Sequence, residues 1–338
     1  MNKVRWGVLG YARIAREQVI PAIVRAGNSE FHAIASRQEQ NLAACVNNFS
    51  CPKAYASYDE LLADPEVQAV YIPLPNALHL EWTLKAARHG KHILCEKPLA
   101  LNATECRAMI EECAAHRVKL MEAFMYRYTD RTRKVQGILA SGVLGEIKYI
   151  NSCYRFLLTR DPDVRLEADL GGGSLYDVGC YPVNFLGVVT GCAPTSIKAE
   201  AVLSNGVDLL FSAILKYPHG IVANLNSGFN AFGRVFSEII GTKGILEIPD
   251  TFLGSAGSIL LTTADGRREI PVSESDRYLL EIEDFAGAIL TDHQPLVSPE
   301  ESCRNMEIID RLRESIRQDQ AATVSEPRIP SPGTPSVP

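Results

Sequence analysis

Lys97 and Pro98 follow a short, mostly apolar run, residues 92–95, from which Glu96 alone separates them; the run has the length and composition of a buried strand. The carboxyl end of a parallel strand is where open α/β sheets bind their ligands. An ammonium group placed there could hold an oxygen atom or exchange a proton with it. The alternative is a lysine in an ordinary solvated loop, so the interpretation depends on the residues that accompany Lys97.

Asp177 and Tyr181 form a second pair with the residue types of proton-transfer chemistry. A spacing of four residues places both side chains on one face of a helix. The pKa of a phenol is about 10, so Tyr181 needs a nearby cation such as Lys97 to form the phenolate at neutral pH. We expect Asp177 to orient Lys97 or to hold a substrate hydroxyl. A helix cap at Asp177 and a core position for Tyr181 are the alternatives.

Regular alternation of strand and helix patterns positions these residues. Strands are predicted at residues 4–9, 31–35, 69–72, 92–95 and 119–122, and helices at residues 14–26, 41–49, 58–62, 77–89 and 102–116. This alternation indicates a doubly wound parallel sheet. From residue 147 to 269 short strands broken by Gly, Asn, Asp and Pro predict an antiparallel sheet. Two helices, at about 276–290 and from 298 onward, complete this second α/β unit.

The turn between the first predicted strand and helix, residues 7–15, is similar to the dinucleotide-binding fingerprint. Gly10 occupies its first glycine position and permits the tight turn, and Ala12 and Ala15 replace the second and third glycines. A small residue at 12 lets a pyrophosphate approach the helix N-terminus. Ser36 and Arg37 stand where NAD enzymes carry an acidic residue, and a hydroxyl with a guanidinium suits a 2′-phosphate. We therefore predict NADP as the cofactor, with NAD as the alternative.

Composition excludes several classes of protein. The formal net charge of −6 and the lack of a clustered basic run argue against nucleic-acid binding. No segment reaches the roughly 18 consecutive apolar residues of a membrane-spanning helix, and the N-terminus has no signal-peptide pattern, so we expect a cytoplasmic protein. The nine cysteines show no metal-ligand spacing, which favours free thiols and no bound metal.

Motifs from about residue 3 to residue 324 resemble the glucose–fructose oxidoreductase/inositol dehydrogenase (Gfo/Idh/MocA) family. The matching segments are residues 7–15, 35–37, 71–79, 96–99, 125–127 and 171–182. The resemblance implies a dinucleotide-binding Rossmann domain over residues 1–123 and a substrate-binding and oligomerisation α/β domain over residues 124–324, built on a large, mostly antiparallel open sheet. The Pro- and Ser-rich composition of residues 325–338 predicts a tail. The resemblance also implies a homodimer or homotetramer formed through the second sheet, and a cis peptide bond between Lys97 and Pro98.

Tyr181 narrows the resemblance, because many members carry histidine at this position. The tyrosine-type branch includes NADP-dependent D-xylose dehydrogenases, dimeric dihydrodiol dehydrogenases and sugar 3-ketoreductases. This similarity implies hydride transfer between NADP(H) and a CH–OH or C=O group of a sugar-like substrate, in the first place by an aldopyranose 1-dehydrogenase. A trans-dihydrodiol dehydrogenase and a nucleotide-sugar ketoreductase are the enzyme alternatives, and an NADP(H)-binding redox sensor is the non-enzyme alternative.

These arguments assign three groups of site residues. Catalytic roles fall to Lys97, Tyr181 and Asp177, and it is open whether Lys97 or Tyr181 carries the proton. Cofactor contacts are predicted for Gly10, Tyr11, Ala12, Arg13, Ile14, Ser36, Arg37, Pro73, Asn76, His79, Glu96 and Lys97. Substrate contacts are predicted for Tyr126, Arg127, Tyr154 and Arg165.

Overall fold

The computed structural model describes residues 2–160 and 162–320, so the predicted tail at 325–338 lies outside the described residues. Six parallel strands form the first sheet: β1 (Val4–Leu9), β2 (Ser29–Ala35), β3 (Lys53–Tyr55), β4 (Ala69–Ile72), β5 (His92–Glu96) and β6 (Leu120–Ala123). Their order, β3-β2-β1-β4-β5-β6, is that of a doubly wound Rossmann sheet. Every residue of β4 is buried, as expected for a central parallel strand covered on both faces.

Five helices connect these strands: α1 (Ile20–Arg25), α2 (Glu39–Phe49), α3 (Tyr58–Ala63), α4 (His79–Arg88) and α5 (Ala103–Ala115). A wider π-helical turn, Ala15–Val19, precedes α1. The side chain of Ser57 accepts a hydrogen bond from Asp59 N at the start of α3, as its position before that helix predicts. The sequence analysis missed β3, because three residues on an edge strand have no periodicity to detect.

Eight strands form the second sheet: β7 (Ile147–Leu157), β8 (Ser196–Ser204), β9 (Val207–Lys216), β10 (Val222–Gly228), β11 (Asn230–Gly241), β12 (Gly244–Pro249), β13 (Gly257–Thr263) and β14 (Gly266–Val272). They lie in the order β14-β13-β12-β11-β7-β10-β9-β8. All neighbours run antiparallel except β7 and β10, which are parallel. The predicted fold class, a Rossmann sheet followed by a mostly antiparallel open sheet, is confirmed.

Four more helices join the two sheets: α6 (Asp130–Ala140), α7 (Cys180–Thr190), α8 (Arg277–Thr291) and α9 (Pro299–Gln320). Helix α7 packs against β7 and β10, and α9 packs against β8, α5 and α7. Helix α8 returns to the first sheet, where Phe285 lies 5.8 Å from the ring of Trp6. The chain after residue 124 therefore covers part of the first sheet as well as building the second.

Within residues 2–160 and 162–320, none of the helices is both long and apolar enough to cross a bilayer. The nine cysteines all lie in this part of the chain and are free thiols, seven of them buried. They serve as small apolar side chains, as their scattered spacing predicts.

Candidate active site

A cavity of about 880 Å³ lies between the carboxyl ends of the first sheet and the start of α8. The turn after β1, the loop after β4 and the residues after β5 line one side, and β7 with the loop that follows it lines the other. Ligands of open α/β sheets bind at such strand ends. The predicted site residues on its wall are Ala12, Arg13, Ile14, Pro73, Asn76, Glu96, Lys97, Tyr154, Arg165, Asp177 and Tyr181.

Lys97 and Asp177 form an ion pair across this cavity wall. Lys97 Nζ lies 3.1 Å from Asp177 Oδ1 and also donates a 2.7 Å hydrogen bond to the Asp177 backbone carbonyl. The second carboxylate oxygen, Oδ2, accepts a 2.6 Å hydrogen bond from Arg165 Nε. Arg165 is itself bonded to Asp163 at 3.2 Å. One carboxylate thus holds two cations, one from each side of the cavity.

Burial and charge together set the ionisation of this pair. Burial of the Lys97 ammonium acts to lower its pKa, but Asp177, together with Cys180 and Glu96, outweighs that effect and the pKa is raised above its usual range. Burial acts to raise the pKa of Asp177, but Lys97 and then Arg165 outweigh it and the pKa is lowered. Both groups are therefore charged at neutral pH, and Lys97 carries its proton.

Tyr181 lies beside Lys97, as the four-residue spacing from Asp177 predicts. Lys97 Nζ is 5.2 Å from the centroid of the Tyr181 ring. The Tyr181 hydroxyl lies 3.4 Å from Met125 Sδ, and the side chain belongs to an aromatic cluster with Tyr154 and Phe252. Burial raises the pKa of Tyr181 well above the usual phenol value, so the hydroxyl is protonated in this state.

Buried residues behind the cavity fix the turn that carries Lys97. The Lys97–Pro98 peptide bond is cis, as the resemblance implies. His79, which is fully buried, places Nδ1 3.0 Å from the Pro98 carbonyl oxygen and Nε2 2.9 Å from the Leu74 carbonyl oxygen. Glu122 Oε1 accepts a 2.9 Å hydrogen bond from Leu99 N. Burial raises the pKa of Glu122 to about 8, so this carboxyl adds little negative charge behind Lys97 at pH 7.

Asn76 connects the first half of the chain to the second. Its side-chain amide donates a 2.8 Å hydrogen bond to the Gly171 carbonyl. Gly171 has a φ of +78°, and a Cβ there would lie 2.9 Å from the Asn76 Cβ, so only glycine permits this close approach.

Glu96 also lines the cavity, and its Oε1 accepts a 2.5 Å hydrogen bond from the Tyr71 hydroxyl. Burial raises the pKa of Glu96.

The turn after β1 has the geometry that its sequence predicts. Gly10 has a φ of +100°, which a residue with a side chain rarely adopts, and its N–H donates to the Ala35 carbonyl at 2.7 Å. At the end of β2, Ser36 is buried, its hydroxyl accepts a hydrogen bond from Gln38 N, and Arg37 is exposed. These residues lie at the start of α2, where an open depression of about 690 Å³ is lined by Gln38, Glu39, Gln40 and Ala43.

Several predicted site residues lie outside the main cavity lining. The carboxyl ends of β1 and β2 are followed by Gly10, Tyr11, Ser36 and Arg37, which lie beside the lining. His79 lies behind the cavity wall. Tyr126 and Arg127 are also behind the wall, buried near the start of α9. Tyr126 donates through its hydroxyl to Asn184, and Arg127 is paired with Glu301. The structure therefore places Tyr126 and Arg127 in a scaffold that joins α7 and α9 rather than in the cavity.

The sequence analysis missed part of the cavity wall. Residues 156–160 and 163–164 extend it from the end of β7, and Arg277 with Tyr278 closes it at the start of α8. The segment after β7 carries no motif. Arg277 stands about 100 residues from the nearest predicted site residue, and only the return of α8 to the first sheet brings it to the cavity. No local pattern could have identified it.

One group of three potential metal ligands occurs in the described part of the chain, at His32, Asp64 and Glu66. None of these three residues lines the cavity. The ammonium of Lys53 pairs with both carboxylates, at 3.1 Å from Asp64 Oδ2 and at closer range with Glu66. The lysine thus supplies the positive charge that these carboxylates require.

Residues 4–124 match the Gfo/Idh/MocA oxidoreductase family with its NAD-binding Rossmann fold, and residues 132–247 match the C-terminal domain of the same family. The chain is also 39% identical, over 316 residues, to D-xylose 1-dehydrogenase (NADP(+)) 2 of Haloferax volcanii, covering 92% of this chain and 96% of that protein. The chain belongs to the Gfo/Idh/MocA family. The predicted resemblance is confirmed, and with it the prediction of an oxidoreductase.

Two further proteins are similar to this chain over most of their length. Trans-1,2-dihydrobenzene-1,2-diol dehydrogenase of Xenopus tropicalis is 33% identical over 270 residues, covering 79% of this chain and 81% of that protein. The crystal structure of a 3-ketoreductase from Actinomadura kijaniata, with NADP and TDP-benzene, superimposes with a TM-score of 0.89 at 29% identity and covers 93% of this chain and 98% of that chain.

Asp177→Asn removes the negative charge that Lys97 and Arg165 share. We expect the free energy of unfolding at pH 7 to fall by about 3–5 kcal/mol, because two cations in a largely buried site lose their partner. The pKa of Asp177 is depressed in the folded protein, so its stabilisation is present above the unfolded value near 3.8 and disappears as the pH falls through the lower folded value. The difference between wild type and variant should therefore shrink below about pH 4.

Urea unfolding between about pH 3 and pH 7 measures this difference. Asp169→Asn is the control, because Asp169 is exposed in the same loop and should change stability by about 0.5 kcal/mol or less. The shared ion pair would be contradicted if the loss of unfolding free energy in Asp177→Asn grew at acidic pH. An equal loss in Asp169→Asn would also contradict it.

Proposed function

We propose that this protein is an NADP-dependent oxidoreductase that oxidises a hydroxyl-bearing carbon of a sugar-like substrate, in the first place as an aldopyranose 1-dehydrogenase. The observation that carries the proposal is the Lys97–Asp177 ion pair beside Tyr181, on the wall of a cavity that starts at the glycine turn. The relative from Haloferax volcanii, a D-xylose 1-dehydrogenase (NADP(+)), supports this substrate class.

The residues at the carboxyl ends of β1 and β2 suit a dinucleotide with a 2′-phosphate. The positive φ of Gly10 and the small side chain of Ala12 leave room for a pyrophosphate at the helix N-terminus. The exposed guanidinium of Arg37 and the start of α2 provide positive charge for the 2′-phosphate. Glu39 offers a weaker contact for the ribose of NAD. When bound, the nicotinamide ring accepts or supplies the hydride.

Tyr181 is the group that we assign to proton exchange with the substrate oxygen. Lys97 is held as a cation by Asp177, so it cannot accept a proton in this state. Its positive charge stabilises a negative oxygen nearby, either a phenolate or an alkoxide. In the direction of reduction the protonated Tyr181 donates its proton. In the direction of oxidation Tyr181 must lose it first, and Lys97 together with an oxidised nicotinamide favours that loss.

Two other candidate reactions are the oxidation of a trans-dihydrodiol and the reduction of a keto-sugar. The aromatic side chains of Tyr154, Phe156 and Tyr278 line the cavity and offer flat apolar surfaces to a ring-shaped substrate. The dihydrodiol dehydrogenase among the relatives favours the first reaction, and the 3-ketoreductase favours the second. The same Tyr181 and Lys97 chemistry serves all three reactions.

A panel of aldoses, inositols, dihydrodiols and keto-sugars, each with NADP(H) and NAD(H), tests the proposed function by nicotinamide absorbance. We expect turnover of at least one aldopyranose, with a higher kcat/KM for NADP than for NAD. Equal or better efficiency with NAD would contradict the assignment of Arg37. Tight NADPH binding, seen by fluorescence, without turnover of any substrate would favour a redox sensor.

Tyr181→Phe and Lys97→Met, assayed on the best substrate, test the two assigned groups. We expect each variant to lower kcat by about 10²-fold or more, because Tyr181 exchanges the proton and Lys97 stabilises the negative oxygen that this exchange creates. NADPH affinity should change far less in Tyr181→Phe. Lys148→Met, an exposed lysine on β7, is the control and should retain wild-type turnover. Near-wild-type kcat in both variants would exclude this mechanism.

We further propose that the protein forms a homodimer or homotetramer through the second sheet and acts in the cytoplasm. One row of side chains crosses the face of this sheet through Lys198, Ile214, Asn224, Asn151, Glu238, Glu247, Leu260 and Glu269. Ile214 is 52% exposed, and Phe232, at the irregular start of β11, is 93% exposed. Asn226 Oδ1, on the next row of this face, is buried without a partner among the described residues. Exposed apolar groups beside unpaired polar groups are the composition of a surface that binds a second copy.

Light scattering should give a mass at least twice the 37.1 kDa of one chain. Phe232→Ser should shift the equilibrium towards the monomer, because it removes the most exposed large apolar side chain of this sheet. Val24→Ser, at an exposed valine of α1, is the control. A wild-type protein that stays monomeric at micromolar concentration would contradict the interface.

A further inference from the structure

Most charges on the wall of the main cavity are neutralised by one another. Lys97 and Arg165 are paired with Asp177, at 3.1 Å and 2.6 Å, and Arg165 also contacts Asp163 at 3.2 Å. These two cations and two anions form one connected network. The catalytic ion pair and its neighbours therefore leave no excess charge for a ligand.

On the cofactor half of the wall the cation is likewise paired with a carboxylate. Arg13, in the turn after β1, lies 4.0 Å from Glu17 on the same helical face. Glu96 accepts the hydroxyl hydrogen of Tyr71, and burial raises its pKa. Among the described residues, Arg160 and Arg277 are the cavity-lining cations with no carboxylate oxygen within 4.0 Å.

Arg277 is held in a fixed position at the first turn of α8. Its Nη1 donates a 2.8 Å hydrogen bond to the Phe252 carbonyl, and its guanidinium lies 5.2 Å from the centroid of the Tyr278 ring. Gly254 makes room for the side chain, because a Cβ there would lie 3.2 Å from Arg277 Cδ. The single backbone acceptor leaves the other N–H groups of the guanidinium available.

The carboxyl nearest along α8 does not cancel this charge. Glu281 stands one helical turn after Arg277 and is 1% exposed. No Glu281 carboxylate oxygen lies within 4.0 Å of a guanidinium nitrogen of Arg277, and burial raises the pKa of Glu281 well above its usual range, which disfavours a charged carboxylate there. Arg277 also lies on the substrate side of the cavity. Burial raises the pKa of the Tyr154 phenol, and Lys97, Arg277 and Arg165 all act against that rise.

We propose that the substrate carries an anionic group, a phosphate or a carboxylate, and that Arg277 binds it with the help of Arg160. The proposal rests on the proposed oxidoreductase function and narrows its substrate class. A guanidinium binds both kinds of oxyanion through paired N–H donors. The fixed, uncompensated guanidinium of Arg277 supplies this contact beside the reacting end of the cavity, where the mechanism itself has no use for it.

Steady-state kinetics on a neutral aldopyranose, a uronic acid, a sugar phosphate and a nucleoside diphosphate sugar test the proposal and separate the sources of the anion. We expect an anionic substrate to have the highest kcat/KM. Arg277→Gln should raise KM for that substrate by about 10-fold or more, with kcat unchanged, because a hydrogen bond to a charged group is lost. KM for the neutral sugar should stay within about 2-fold of the wild-type value.

Two further variants keep this test interpretable. Arg277→Lys retains the positive charge and should recover part of the lost affinity for the anionic substrate. Arg267→Gln, an exposed arginine on the edge strand β14, is the matched control and should leave both KM values unchanged. If Arg277→Gln does not fold, Arg277→Lys and Arg160→Gln still report whether loss of a guanidinium acts on the anionic substrate alone.

Equilibrium binding separates failure of this proposal from failure of the proposed function. Glucuronate and inorganic pyrophosphate are titrated into the NADPH complex and followed by nicotinamide fluorescence. Binding that Arg277→Gln weakens would support the anion site even in a protein that oxidises no sugar. A neutral sugar preferred over all anionic ones, or an Arg277→Gln effect equal on both classes, would overturn it while the oxidoreductase function stands.

Discussion

The ion pair between Lys97 and Asp177 is the interaction on which the arrangement of this site depends. It joins the end of β5 in the first sheet to the helical turn before α7, beside the second sheet. Both side chains are at most 15% exposed, so neither charge is stable there without the other. Arg165 adds a second cation to the same carboxylate from the loop after β7. Three separate chain segments are therefore held around one carboxylate in the cavity wall.

The scaffold behind the cavity makes that geometry specific. His79 spans the carbonyl groups of Leu74 and Pro98, and Asn76 binds the Gly171 carbonyl. These contacts tie the loops after β4 and β5 to each other and to the opposite wall. An ion pair alone tolerates many orientations, whereas these directional hydrogen bonds fix where the Lys97 ammonium points.

The fold class and most of the candidate catalytic residues could be predicted from the sequence, because both depend on local patterns. The apolar runs of the first sheet, the Gly10 turn, the Lys97-Pro98 step and the Asp177 to Tyr181 spacing all appear within short segments, and the structure brings the last three together. Local patterns are least specific where burial decides the role of a residue. His79, Tyr126 and Arg127 stand in motif-like segments but lie behind the wall, and a sequence does not show on which side of a wall a side chain lies. Arg277 was missed for the opposite reason, because its place depends on how α8 returns to the first sheet.

Charge connects the proposed chemistry with the proposed substrate class. The network of Lys97, Arg165, Asp163 and Asp177 is neutral, so the field in the substrate half is set by the guanidinium of Arg277. That field favours negative oxygen atoms near Tyr154 and Tyr181, whether they belong to the substrate or to a phenolate. Burial alone makes the Tyr181 phenolate unfavourable, and in the proposed mechanism the positive charge of Lys97 offsets that cost. A cation that attracts an anionic substrate would be partly neutralised when that substrate binds. The ammonium of Lys97, adjacent to Tyr181 and already paired, must then carry the stabilisation of the reacting oxygen.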